Sequence, residues 1–337
     1  MRVVDEASAG PCGNPRRPSP PTGQARTMPP KLRVALSELG DMPLFSTAEA
    51  EARGISRRDL AVLVRRGLLW RVARGWYSSR IDASAEEAHV LRAVATLRLQ
   101  DAQTVAARHT AAVLHGLPLA RTDLTVVEIA KQPSTHGRVA KGVRVSEMDM
   151  ETIRPVEVEI PDLGVTVSAV PAAVAIVGTA LSNNPLAALV AGDHALRHEV
   201  CTRAQIEEAL TSARGAKGVA RAREVLAHLE PRHESPGETL TAAVLRRSPW
   251  TFEPQVWARA AGHDYRLDFA IREIKLAVEF DGDIKYTSPD VMAAQIVREN
   301  NLRAEGWEFE RVTWSHFEDE EEILRRVTAK AYECEAA

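Results

Sequence analysis

Three cysteines in 337 residues, Cys12, Cys201 and Cys334, are too few and too scattered for a zinc spacing or a disulfide framework. Their usage points to a reducing cytoplasm. No run of about 18 apolar residues occurs, which speaks against a membrane-spanning helix. A glycine-rich phosphate loop, a nucleophile elbow and an internal repeat are also absent. Residues 1–30, with "GNPRRPSPPTGQARTMPP", lack the apolar stretch of a signal peptide. They read as a disordered tail, or as sequence upstream of a true start at Met28.

What the chain does have is a polarity of charge. The formal net charge of −3 conceals 10 basic and 5 acidic residues from Lys31 to Arg80, against 13 basic and 21 acidic from Glu234 onward. The front suits an anionic partner. The back suits a cation or forms an acidic surface. The length favours two or three domains.

Residues 45–79, "FSTAEAEARGISRRDLAVLVRRGLLWRVARGWYSS", carry two capping boxes, Ser46 to Glu49 and Ser56 to Asp59, each opening a helix. Arg53-Gly54-Ile55 is the turn between them, and Gly67 can close the second helix. Leu60, Leu63 and Val64 form its inward stripe, which leaves Arg57, Arg58, Ala61 and Arg65 outward. Two short strands follow around Ala73-Arg74-Gly75. Helix, turn, helix and β-wing over 31–80 make a winged helix-turn-helix. Arg57, Arg58 and Arg65 are candidates for base edges of double-stranded DNA, and Arg71 and Arg74 on the wing for phosphates.

Residues 84–230 read as a middle α+β region of amphipathic helices around alternating stretches, "LTVVEIA", "GVRVSEM" and "VTVSAV". His194 and His198 stand four apart, yet lack a third ligand in clear register and read as surface or packing residues. "PRHESPGE" punctuates a boundary. Residues 234–335 then run helix, three strands, long helix, strand, helix, a compact α/β domain.

Within it "LAVEFDGDIKY" places Glu279 and Asp281 on one side of a strand and Leu276, Val278 and Phe280 on the other. A short connection back to the preceding strand can bring Asp268 beside them. Three crowded carboxylates are costly unless a cation or a proton relieves them, and oxygen-only ligands suit Mg²⁺ or Mn²⁺. Asp268, Glu279 and Asp281 are therefore the candidate metal ligands. Glu238, with Glu234 as a weaker rival, is a fourth carboxylate, and Lys285 a candidate to neutralise developing phosphate charge or poise the water.

"YRLDFAIREIKLAVEFDGDIKY" followed by "RENNLRAEGWEFERVTW" resembles the PD-(D/E)XK nuclease superfamily, in the branch of very-short-patch-repair endonucleases. Glu238, Gln255, Asp268, Glu279-Phe280-Asp281-Gly282, Arg298, Arg303 and Gly306 follow the family order. The resemblance implies a restriction-endonuclease-like fold, a divalent metal and cleavage of DNA phosphodiesters. Two departures stand out: Asp281 where the superfamily has lysine, and Lys285-Tyr286 where the branch often has histidine. The front resembles the AbiEi antitoxin family over residues 35–120, and more weakly to 230. That implies operator binding with autoregulation and a nucleotidyltransferase toxin as partner. Three functions stay open: a DNA-binding metal-dependent endonuclease of phage defence or repair, an antitoxin-like regulator with a silent nuclease fold, and an adaptor.

Overall fold

The computed structural model describes residues 30–40, 42–133, 141–182, 184–282 and 289–336. They fall into two compact units, residues 30–184 with 204–219, and residues 185–203 with 220–336. Each is described by itself.

The first unit opens with α1 (Pro30–Gly40), β1 (Phe45–Ser46), α2 (Thr47–Ala52), α3 (Arg57–Arg65), β2 (Trp70–Ala73) and β3 (Trp76–Ser78). Ser46 and Ser56 cap α2 and α3, each accepting from the amide three residues on, and Glu49 and Asp59 return the bond to the cap amides. Both helices end in the same way. Gly54 (φ 75°) and Gly67 (φ 69°) take the left-handed conformation. The next amides, of Ile55 and Leu68, then donate back to Ala50 and Leu63 at 3.0 Å. These local devices fix the angle at which α3 leaves the turn. Leu60, Leu63, Ile55 and Ala50 close over Leu32, Leu39 and Phe45, so α1 supplies a third of the small core. The sheet runs β1-β3-β2 with a register shift between Arg71 and Ala73.

The same unit continues with α4 (Ala85–Arg98), β4 (Val105–Ala106), α5 (Arg108–Leu114), β5 (Val127–Lys131), β6 (Val143–Glu147), α6 (Met150–Ile153), β7 (Val156–Ile160), β8 (Val165–Ala169) and α7 (Ala172–Leu181). The five strands form one mixed sheet, β6-β5-β4-β8-β7. On its second strand, β5, Glu128 is fully buried, with Arg144 Nη1 at 2.8 Å, His109 Nδ1 at 2.7 Å and Arg108 Nη1 at 3.5 Å.

The helices α8 (Pro185–Arg197), α9 (Arg203–Ser212) and α10 (Val219–Leu226) come next. The segment read from sequence as one middle region is therefore divided, since α8 belongs to the second unit. That unit is completed by α11 (Pro236–Leu245), β9 (Glu253–Ala260), β10 (His263–Ile271), β11 (Leu276–Phe280), α12 (Pro289–Ala304), β12 (Glu308–Val312) and α13 (Glu320–Ala336). Its sheet runs β12-β11-β10-β9, antiparallel except for the β11–β12 pair, which the crossover through α12 makes parallel.

α8 is tied to this unit by Asp193, only 1% exposed, which accepts from the Glu230 amide (2.7 Å), His233 Nδ1 (2.7 Å) and Thr239 Oγ1 (2.8 Å). The whole approach to α11 is pinned by one carboxylate. At the start of α11 a Cβ on Gly237 would meet the Phe280 ring at 2.0 Å, whereas one on Gly40 would have nothing within 4 Å. Gly237→Ala is expected to cost about 1–3 kcal/mol in urea unfolding, while Gly40→Ala should change stability by less than about 0.5 kcal/mol.

Candidate nucleic-acid interface and acidic cluster

On α3 the amphipathic split is complete. Leu60 and Leu63 are buried, and Arg57, Arg58, Ala61 and Arg65 are exposed on the opposite side. Small Ala61 between arginines keeps that face shallow enough for a groove wall to approach. Arg57 Nε donates to Glu51 Oε1 at 2.9 Å, a pair open to water and readily exchanged for a phosphate. Arg71 on β2 and Arg74 in the β2–β3 turn are exposed as well. The Asp59 carboxyl is held below its ordinary range by hydrogen bonds from Ser56 and Lys31, so the cap of α3 stays ionised and intact at neutral pH.

In the second unit the structure brings Asp268, Glu279 and Glu238 toward one another and separates Asp281 from them by its partners. The β10–β11 ladder ends at the Phe269–Val278 pair. One step further, where the strands part, the Asp268 side chain takes over from backbone, and Oδ2 accepts from the Phe280 amide at 2.9 Å. Glu279 is buried and bound on both oxygens by Arg298 of α12, through Nη1 at 3.2 Å to Oε2 and through Nη2 to Oε1. Asp281 pairs with Arg311 Nη1 at 2.5 Å, and Arg311 Nη2 holds Glu299 at 2.6 Å. Glu238, in the first turn of α11, accepts from the Glu234 amide, Ser235 Oγ and Gln255 Nε2, each at 2.9 Å. Gln255 reaches it from a left-handed backbone (φ 55°), and its own Oε1 is buried without a hydrogen-bond partner. Burial, then the charges of Glu238 and Glu279, push the Asp268 carboxyl up to about 7. Lys285 lies outside the described residues.

Residues 34–79 match the family model for "Transcriptional regulator, AbiEi antitoxin". The matched segment runs from within α1 through β3, with α3 and the β2–β3 turn inside it. The chain is also 28% identical over 257 residues to an uncharacterized protein of Mycobacterium tuberculosis (strain CDC 1551 / Oshkosh), covering 75% of this chain and 88% of that protein. The same figures hold for the uncharacterized protein Rv2248 of strain ATCC 25618 / H37Rv. Among solved structures, the crystal structure of RV2827C protein from Mycobacterium tuberculosis aligns over 74% of this chain and 93% of that one. At a TM-score of 0.39 and 17% identity, that likeness is too slight to argue from.

The AbiEi match accounts for the front of the chain and leaves the acidic cluster to its own chemistry. As folded, Asp268, Glu279 and Asp281 do not fit a divalent ion. Among the described residues no group of three or more His, Cys, Asp or Glu side chains is placed to hold one. The physical reason is that two of the three carboxylates already have cations, Arg298 and Arg311. The His194 and His198 rings lie 4.2 Å apart, tilted by 36°, with His194 half-buried and His198 exposed. Sequence reasoning matched Arg298 to a family position without giving it a partner, and passed over Arg311 altogether. The register that pairs Glu279 with Arg311 across a parallel ladder, and the four-residue step from Arg298 to buried Leu302, are the signals that point to them.

Asp268 gives a pH test. Its folded value of about 7 lies above the ordinary 3.8, so the folded state binds the proton more tightly. The stability contributed by this group is then greatest below about pH 4, falls as the pH rises toward 7, and is level above that. Asp268→Asn keeps an acceptor for the Phe280 amide and removes the charge. It should be more stable than wild type at pH 8, by on the order of 4 kcal/mol, with the difference vanishing near pH 4. Thermal unfolding across that range checks this, and equal curves at pH 8 would contradict it.

Proposed function

We propose that the protein is a DNA-binding transcriptional regulator of the AbiEi-antitoxin kind that holds duplex DNA on its N-terminal winged helix. The observation that carries this reading is the coincidence of the family match at 34–79 with an exposed arginine face on α3 and two further arginines on the wing. Arg57, Arg58 and Arg65 read base edges in the major groove, while Arg71 and Arg74 hold phosphates on either side. The same reading makes a nucleotidyltransferase toxin the second partner.

A second reading, a metal-dependent endonuclease in residues 234–335, draws support from the α-β-β-β-α-β order and from the shared field of Glu238, Asp268 and Glu279. It requires Glu279 to leave Arg298 and Asp281 to leave Arg311, so the regulator reading is preferred. Plasmid incubated with the protein and Mg²⁺ discriminates. The regulator reading expects no cutting beyond that of Asp268→Ala and Glu279→Ala.

Salt titrations of duplex affinity test the interface itself. Arg71→Ala and Arg74→Ala should each weaken binding to all sequences alike and reduce the slope of log K against log salt by about 1. Arg57→Ala with Arg58→Ala should in addition reduce the preference for one sequence over another. Unchanged affinity and slope in all three variants would remove this face from the interface.

A further inference from the structure

The acidic cluster of the second unit carries its own cation. We infer that Arg298 stands where a divalent ion would have to bind, and that it closes the cluster to metal in the folded protein. This goes beyond the regulator reading and does not depend on it, because it concerns the second unit alone.

The contacts of Arg298 carry the inference. One planar guanidinium engages both oxygens of Glu279, whose side chain is only 7% exposed. The same Nη2 donates at 2.8 Å to the carbonyl of Arg266, two residues before Asp268 on β10. That second anchor holds the cation over the gap where β10 and β11 part, beside the very acids a metal would use. The neighbouring acids have partners of their own, Asp268 accepting from the Phe280 amide on Oδ2. Glu238 accepts three donors, and Asp281 is paired with Arg311. An entering ion would have to displace the guanidinium from Glu279 and leave Arg298, itself only 19% exposed, without its acid. A fork-shaped donor matched to a carboxylate is a strong and specific competitor for that place. Once the guanidinium is gone, the same oxygens form a crowded anionic site of the kind hard divalent ions take.

The test is calorimetric titration of Mn²⁺ into the full chain at pH 8, with thermal unfolding of each protein with and without the ion. Wild type and Arg298→Lys should show no saturable binding below about 1 mM and no rise in Tm with Mn²⁺. Arg298→Gln should unfold several degrees lower without the ion, bind Mn²⁺ saturably, and recover its Tm. Adding Glu279→Gln to that variant should abolish the gain, which places the ion at the cluster. Wild type that binds Mn²⁺ as tightly as Arg298→Gln overturns the inference, as does an Arg298→Gln variant that gains no binding. If Arg298→Gln folds only with Mn²⁺ present, its unfolding on chelation supports the inference, and a variant that stays unfolded in Mn²⁺ overturns it.

Discussion

Burying a carboxylate without leaving its charge bare is the constraint on which both units depend. Glu128, on β5 of the five-stranded sheet, is met by Arg144, Arg108 and His109. Glu279, on the central strand β11, is met by Arg298, and Asp281 by Arg311. An isolated ionised carboxylate at such positions would cost several kcal/mol or give up its charge. Asp268 shows the alternative: with burial and two acidic neighbours against it, it keeps its proton up to about pH 7. The strands therefore sit where arginines from α12 and β12 can reach them, and α12 meets the sheet through buried Leu302 and the Arg298–Glu279 pair.

The front of the molecule obeys the opposite logic. Its arginines on α3 and the wing are exposed, and the apolar work is left to Leu60, Leu63 and the residues of α1. Capping by Ser46 and Ser56 and reversal at Gly54 and Gly67 position α3, and the ion pair that its outward Arg57 makes with Glu51 is open to water. A surface whose charges are not needed by the fold is free to meet phosphates. That separation of duties is the physical basis for assigning DNA to the first unit.

How much of this could be read from sequence follows from the range of the interactions. The caps of α2 and α3, the wing strands and the order of elements from α11 to α13 are encoded within a few residues and were legible. The strand carrying Glu279 was legible too, although it is buried on both faces and ends at Phe280, one residue short of Asp281. The arginines that Glu279 and Asp281 face were not. Arg298 is 19 residues from Glu279 and Arg311 is 30 from Asp281, and no period links them. The expected metal trio followed from asking what relieves crowded acids; in the structure Glu279 and Asp281 are paired with Arg298 and Arg311. Strand β1, two residues long, and the membership of α8 in the second unit depend on long-range pairing and on buried Asp193, and neither leaves a local trace.

The proposed regulator would read duplex DNA with its front, while its acidic domain is neutralised from within by Arg298 and Arg311. A regulator of the AbiEi kind that controls its own expression must prefer the DNA upstream of its own gene. The most direct measurement is a competition between that fragment and a scrambled duplex of equal length, followed by anisotropy at near-physiological salt. The account predicts preference of at least about a thousandfold for the upstream fragment, with a footprint that disappears when the α3 arginines are replaced. Equal affinity for the two duplexes would contradict it.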